Sequence, residues 1–340
     1  MASLPQHLDA PVRPAPAFRA RLATANDRAE IEQLIGEMIP GCDVRARWKW
    51  LYETNPAGRA LTWIALSEDD EVAGCTSFFP FRLWLDGTTV LGALGGDGYV
   101  RPAFRRRGIG GLLHDASRRA MPEHALGCMY GAPGAMNVTP LKHGGSRELG
   151  HVVRWARPIR LPHAPEVSAA ILRPRTTGEL EPMVADDPRV DEVWERARRE
   201  LPLAAVRDAK FYTWRFVDAP GGHEPAFVIT DGGLPIGACS LETLHGGRTV
   251  RIVDLMAVPG AWHACLRAIA RHVCDHTSAA MLDIKLFDRD GRRRKMLRSG
   301  FVERQSKPFL CMIPRGGDRR FVDPDRWFYC GGDADIACLG

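Results

Sequence analysis

Arg105, Arg106 and Arg107 run directly into Gly108-Ile109-Gly110-Gly111, inside the stretch VRPAFRRRGIGGLL (100–113). These residue types at this spacing suit the holding of a phosphate. Glycines let a backbone turn tightly and let a ligand approach it closely. The first N–H groups of a helix have no intrahelical acceptor and lie at the positive end of its dipole, where an anion is favoured. Neighbouring guanidiniums add charge-assisted bonds. The stretch follows the strand-like GDGYV and precedes an apolar run with Leu112 and Leu113, so the spacing predicts a loop where a strand gives way to a helix. Two other phosphate-binding patterns are excluded. No Gly-Lys-Ser/Thr completes a P-loop, and no parallel βαβ unit with a ribose-binding acid follows.

The elements that would position this loop can be read on either side of it. FRARLAT (18–24) predicts a first strand, and DRAEIEQLIGEM predicts a helix with Ile31, Leu34, Ile35 and Met38 on one face, capped by Thr24 or Asn26. A second helix is expected over roughly 43–54, ending before Asn55-Pro56. Three strands follow, LTWIALS, EVAGCTSFFPFRLW and TVLGALGGDGYV, with turns at Asp69-Asp70 and Asp86-Gly87. Next come a helix over 108–120, a short buried strand in ALGCMYG, and a closing strand in HVVRWARPIRL. The order then repeats. WLYETNPAG (50–58) parallels WRFVDAPGG (214–222), VAGCTSF parallels PIGACSL, and GDGYVRP parallels VDLMAVP, setting Asp97 against Asp254. Three matches in order argue for a duplicated unit, with LPHAPEVSAA (161–170) as its linker. The expected layout is a leader (1–17), a first unit (18–160), the linker, a second unit (171–314) and a tail (315–340).

YVRPAFRRRGIGGLL, with the order of elements around it, resembles the acyl-CoA loop (R-x-x-G-x-G) of the GNAT acyltransferase superfamily. The resemblance covers 18–160 and, more loosely, about 168–314. It implies an α/β (α+β) fold of two tandem GNAT-like domains, each a mixed, mostly antiparallel sheet flanked by helices and splayed between its fourth and fifth strands. By the same resemblance the diphosphate of acetyl-CoA or another acyl-CoA sits on 105–110, with Gly111 opening the helix. The backbone of Tyr99 and Val100 would bond the pantetheine, and Asn137 matches a position that touches CoA. The second unit reads GAWHACLRA (260–268) where the loop should recur, so phosphate binding is expected in the first unit only.

The implied reaction is attack of an amine on a thioester, and the amine's proton needs a base or a water chain. Asp97, late in the fourth strand, is the first candidate for that base. Beside it stands a structural role, because Asp254 recurs in the second unit. Many family members place an acid tyrosine where Lys142 stands here. Tyr130 or His143 could substitute, or the thiolate could leave unaided. Asn137 has an alternative role as a helix cap. Trp48 and Trp84 could line an acceptor groove, whereas Trp50, which recurs as Trp214, fits core packing. Cys128 has no His and acid spaced to make it a nucleophile.

The bulk numbers bound the remaining possibilities. The 340 residues allow two domains, and 45% hydrophobic with 26% charged residues is a globular composition. A net charge of +5 spread along the chain argues for no nucleic-acid partner. Nine cysteines without a C-x-x-C pair predict buried thiols, with neither disulfides nor a metal site. No apolar run approaches the roughly 18 residues of a membrane span, and no secretory h-region opens the chain, so a cytoplasmic protein without a membrane partner is expected, as monomer or homodimer. The function expected is N-acyl transfer, most simply N-acetyl transfer, to a primary amine of a small molecule, sugar or peptide. Two alternatives remain: a longer acyl donor, for which the small residues LGALGG (91–96) would leave room, and a CoA-binding scaffold without catalysis.

Overall fold

The structure, a computed structural model, describes residues 18–161, 163, 165–221, 225–287 and 291–334. The expected leader 1–17 and the end of the tail, 335–340, lie outside the described residues. The first repeat contributes β1 (Phe18–Leu22), β2 (Leu61–Ser67), β3 (Val72–Leu85), β4 (Thr88–Val100), β5 (Met129–Gly131) and β6 (Arg147–Pro158). The second contributes β7 (Glu179–Pro182), β8 (Leu203–Ala205), β9 (Ala226–Asp231), β10 (Leu234–Leu244), β11 (Thr249–Ala257), β12 (Met281–Phe287) and β13 (Val302–Met312). The helices are α1 (Arg28–Met38), α2 (Val44–Arg47), α3 (Ile109–Ala120), α4 (Ala135–His143), α5 (Pro165–Leu172), α6 (Pro188–Ala197), α7 (Ala209–Tyr212), α8 (Trp262–His276) and α9 (Arg293–Arg298). Among the described residues, no helix is long and apolar enough to cross a membrane, and each described cysteine is a free thiol.

Local chemistry explains most element boundaries. The Asp27 carboxylate accepts from the Thr24 N–H and hydroxyl, which closes the turn into α1. Ile31, Leu34 and Ile35 are the buried face of α1. The expected second helix is α2 followed by a wide π-helical turn, Trp48–Glu53, opened by the Asp43 carboxylate accepting from the Ala46 N–H. The α5 helix takes up much of the stretch read as a linker.

The two repeats share one continuous sheet, ordered β1-β2-β3-β4-β5-β13-β6-β12-β11-β10-β9-β7, with β8 on the end of β3. The last strand of each repeat has crossed over. β13 of the second repeat lies between β5 and β6 of the first, and β6 pairs β12 of the second. Around the centre the order reads the same from either end, which is a pseudo-twofold arrangement. Trp50 and Trp214 meet beside it. Their rings stack at 5.3 Å, and each indole N–H donates to the other's backbone carbonyl, at 2.7 and 3.0 Å.

In each repeat one pair of neighbouring strands is parallel, and only briefly. β4 pairs β5 at Ala93 and Leu94, and β11 pairs β12 from Thr249 to Ile252. Beyond those points the strands part. In the second repeat the tail fills the gap. Cys330 bridges to Leu286, the Phe287 N–H donates to the Tyr329 carbonyl at 3.0 Å, and Gly331 lies so close that a Cβ there would meet the Val253 carbonyl oxygen at 2.6 Å. Val253–Met256 are all buried as a result. The tail also reaches the first repeat, since Trp327 packs on Tyr130 at 5.0 Å and on Phe309 at 5.2 Å. Truncating a buried tryptophan typically costs about 3–5 kcal/mol. Trp327→Ala is therefore expected to lower denaturant stability by that order, and to do so in one transition by fluorescence and by circular dichroism, because one sheet runs through both repeats. An unchanged midpoint would show that the tail does not clamp the repeats.

His114, on α3, is half-buried, its Nδ1 enclosed and without a partner among the described residues, and burial holds the imidazole down to about 4. A base whose folded pKa is depressed contributes stability above its unfolded value of about 6.5 and loses it as pH falls toward the folded one. Urea midpoints are expected to drop between pH 6.5 and 4, and His114→Leu should flatten that drop.

Candidate functional site

Among the described residues, the first repeat's opening has no counterpart to the tail plug. Although β4 is a central strand, Gly98 is exposed, and Gly95, Gly96, Tyr99 and Val100 are only half-buried. Solvent therefore reaches the backbone of β4 where β5 has left it. The strand is also re-aimed here. Cys75 faces Tyr99 while Ser77 faces Gly96, so β4 carries one extra residue, and Asp97 at φ 45 sits in the left-handed region. The bulge turns the backbone of Gly98–Val100 relative to the rest of the strand.

The arginine-glycine stretch lies where the sequence predicts it. Arg101, bonded through its N–H to Ala73 and through its guanidinium to Val72, Glu30 and Glu37, fixes the start of the loop. Arg106 has φ 63 and Gly108 has φ 80, and Gly108 is the residue from which α3 begins. Ile109, Gly110 and Gly111 are the first turn of α3, so their N–H groups lack helical acceptors. A Cβ at Gly108 or Gly111 would meet nothing within 4 Å, and at Gly110 only Pro140 at 3.7 Å. Open space therefore lies over the helix end. Arg105, Arg106 and Arg107 are exposed, and none has an acidic partner among the described residues. Arg105 donates to the Val100 carbonyl at 2.9 Å and lies over the Tyr99 ring, and Arg107 lies over Phe104. Three unneutralised guanidiniums and free N–H groups beside an open strand fit the diphosphate and pantetheine arm of an acyl-CoA. Asn137, exposed in the first turn of α4, is not that helix's cap, which is Gly134.

The two candidate proton carriers sit elsewhere in their surroundings than the sequence suggests. Asp97 is not a free carboxylate. Arg47, fully buried, donates to it from Nη2 at 2.7 Å and Nε at 3.3 Å, and the Tyr52 hydroxyl donates at 2.6 Å. Burial and the neighbouring carboxylate hold the Tyr52 phenol well above its ordinary value, so it stays a donor. The network continues through Ser77 to Thr62. A carboxylate held this way anchors the bulge, and both of its oxygens are already occupied by Arg47 and Tyr52. For Tyr130 the geometry argues against the acid role. The ring is 1% exposed among Phe81, Trp327 and Tyr329, its hydroxyl has no partner, and burial pushes it well up. Lys142 pairs with Glu148 at 2.9 Å. Cys75 is pushed up to about 12 by burial, and Cys128 is raised for the same reason, so neither is a thiolate. Trp48 stacks on Tyr52 at 4.4 Å, and Trp84, on β3, lies under Arg198.

Arg47 and Tyr52 escape a motif search, yet a signal for them exists. The second repeat holds Asp254 between Arg207 and Tyr212, with the Tyr212 hydroxyl donating at 2.7 Å. An arginine five residues before a tyrosine, opposite a strand aspartate, thus occurs twice. The positions are not equivalent in the fold, because Arg47 closes α2 while Tyr212 closes α7. Arg207 additionally holds Asp333 of the tail at 2.6 Å. Among the described residues no group of His, Cys, Asp and Glu is placed to hold a metal ion.

Comparison with known proteins agrees with this geometry. Residues 28–137 match the model of the acetyltransferase (GNAT) family. No curated protein sequence matches the chain. Among solved structures, a GCN5-related N-acetyltransferase from Anabaena variabilis superposes with a TM-score of 0.66 at 16% identity, covering 87% of this chain and 72% of its own. One from Kribbella flavida gives 0.61 at 16% identity, covering 87% and 71%. Saccharomyces cerevisiae N-myristoyltransferase with bound myristoyl-CoA gives 0.56 at 12% identity, covering 90% and 85%. At these identities the likeness is one of fold.

Proposed function

From a chain whose residues 28–137 match the acetyltransferase (GNAT) family model, we propose an acyl-CoA-dependent N-acyltransferase whose single CoA site lies in residues 18–160. The second repeat, 171–314, serves as a buttress. One observation carries the reading: the opening beside β4 is solvent-reached in the first repeat, next to three unpaired arginines, and plugged by the chain's own tail in the second.

Acyl-CoA supplies a thioester already activated toward an amine. The loop N–H groups of 109–111 with Arg105–Arg107 hold the diphosphate, and the exposed backbone of Gly98–Val100 orients the acyl arm. An N–H directed at the carbonyl oxygen there stabilises developing negative charge, an effect typically worth about 10²–10³ in rate. Asp97, through Arg47 and Tyr52, is a positioning residue that keeps the bulge in shape. The amine's proton leaves through water at the open strand, and the thiolate departs without a tyrosine acid, which a thiol of ordinary pKa near 8.5 tolerates close to neutral pH.

A short acyl group is favoured. The room that Gly92 and Gly95 leave is already used, since a Cβ at Gly92 would meet Leu83 at 2.4 Å and one at Gly95 would meet Met129 at 2.8 Å. These glycines accommodate core packing and open no acyl channel. The acceptor proposed is a primary amine of a small molecule, sugar or peptide. Native mass spectrometry of the purified chain is expected to show one CoA or acetyl-CoA per chain, and thiol release from acetyl-CoA with an amine panel is expected to exceed that from octanoyl-CoA. A folded chain that binds no CoA would overturn the proposal, and CoA binding without release to any amine would leave a scaffold.

A further inference from the structure

A second concave site lies at the other end of α3. A cavity of about 650 Å³ is rimmed by Arg118 of α3, Arg147 at the start of β6, and Arg315 and Arg319 of the segment after β13, with Ile313 and Val322 among its walls. The acidic groups nearest in sequence are engaged with other cations. Asp318 binds Arg320, Asp115 binds Arg119, and Glu148 binds Lys142. Arg118 donates only to the Ile313 carbonyl, at 3.1 Å, and Arg147, Arg315 and Arg319 have no acidic partner among the described residues. Between the lining residues Gly145 and Arg147, the Ser146 hydroxyl is buried at 6% exposure with no hydrogen-bond partner. Four guanidiniums facing one cavity repel each other unless an anion neutralises them. Guanidinium forks match phosphate and carboxylate oxygens.

This cavity is not part of the loop at 105–110. Arg118 is nine residues from Ile109, a rise of about 14 Å along the helix. It also lies beside the start of β5, where Met312 pairs Met129, while the strands part beyond the far end of β5.

We infer that the four-arginine cavity is a separate binding site for a small organic phosphate carrying two or more negative charges, with an apolar or ring-shaped body against Ile313 and Val322. The site joins α3 and β6 of the first repeat to the segment that leads into the tail plug. A bound phosphate therefore tethers that segment, and occupancy is expected to raise thermal stability.

The test titrates inorganic pyrophosphate, phenyl phosphate and AMP into the full chain by calorimetry, with CoA saturating so that the loop is blocked. At least one is expected to bind at one equivalent and to raise the melting temperature. Arg147→Glu with Arg315→Glu, at exposed positions without partners, is expected to weaken that binding tenfold or more, leaving CoA affinity and turnover unchanged. Gly111→Asp, which alters the loop, is expected to retain it. Failure of all three probes on the wild-type chain, or undiminished binding by the double variant, would overturn the inference.

Discussion

Gly111→Asp is expected to weaken CoA binding by about two orders of magnitude while leaving the fold intact. Gly111 is the third residue of α3, and a Cβ there meets nothing within 4 Å, so the added side chain displaces no protein atom. An aspartate in a first helical turn is favourable to the helix dipole, which guards against unfolding as the cause of any loss. Its carboxylate occupies the space offered to the diphosphate. Two unit charges 4 Å apart at an effective dielectric of 20 repel by roughly 4 kcal/mol, and solvent at this exposed loop screens part of that. Calorimetric titration with CoA, alongside a melting curve, checks the prediction. Unchanged affinity in a folded variant would place the cofactor elsewhere and remove the basis for acyl transfer.

Asp97→Asn separates the two roles that an aspartate on β4 can have. Asparagine tolerates the left-handed backbone that Asp97 adopts at φ 45, so the variant removes charge without adding strain. It leaves Arg47, fully buried, without its carboxylate. Breaking a buried pair from one side typically costs about 3–5 kcal/mol, and a loss of that order is expected in urea or guanidinium titrations at pH 7. Arg47→Met in the same background should recover part of it. Turnover is expected to fall, with the acid limb of the kcat/KM profile keeping its apparent pKa in the remaining activity. A stable variant whose acid limb disappears would instead make Asp97 the base.

Some of this protein was legible before folding. The loop was, because each requirement is local: glycines for positive φ and close approach, arginines for charge, and a strand-to-helix junction marked by the change in periodicity. The order of elements was also legible, since apolar spacing and turn residues mark the strands and helices along the chain. The second helix near 43–54 was found in extent but not in kind, because nothing in WKWLYE distinguishes a π-helical turn from an α-helix. Tyr130 shows what spacing along the chain does not carry. Its place at the end of β5 suggested an acid, but its surroundings come from Trp327 and Tyr329, two hundred residues away.

The local chain thus determined a strand-to-helix loop rich in glycine and arginine, and which residues form strands and helices around it. Tertiary structure decided that the last strands change places, that the tail closes the second opening while the first stays solvent-reached, that Arg47 and Tyr52 lock Asp97, and that four arginines from distant segments face one cavity. Hydrogen-bonded ladders accept any strand of suitable pattern, and buried charges choose whichever partner packing brings within reach, so neither outcome is encoded in spacing along the chain.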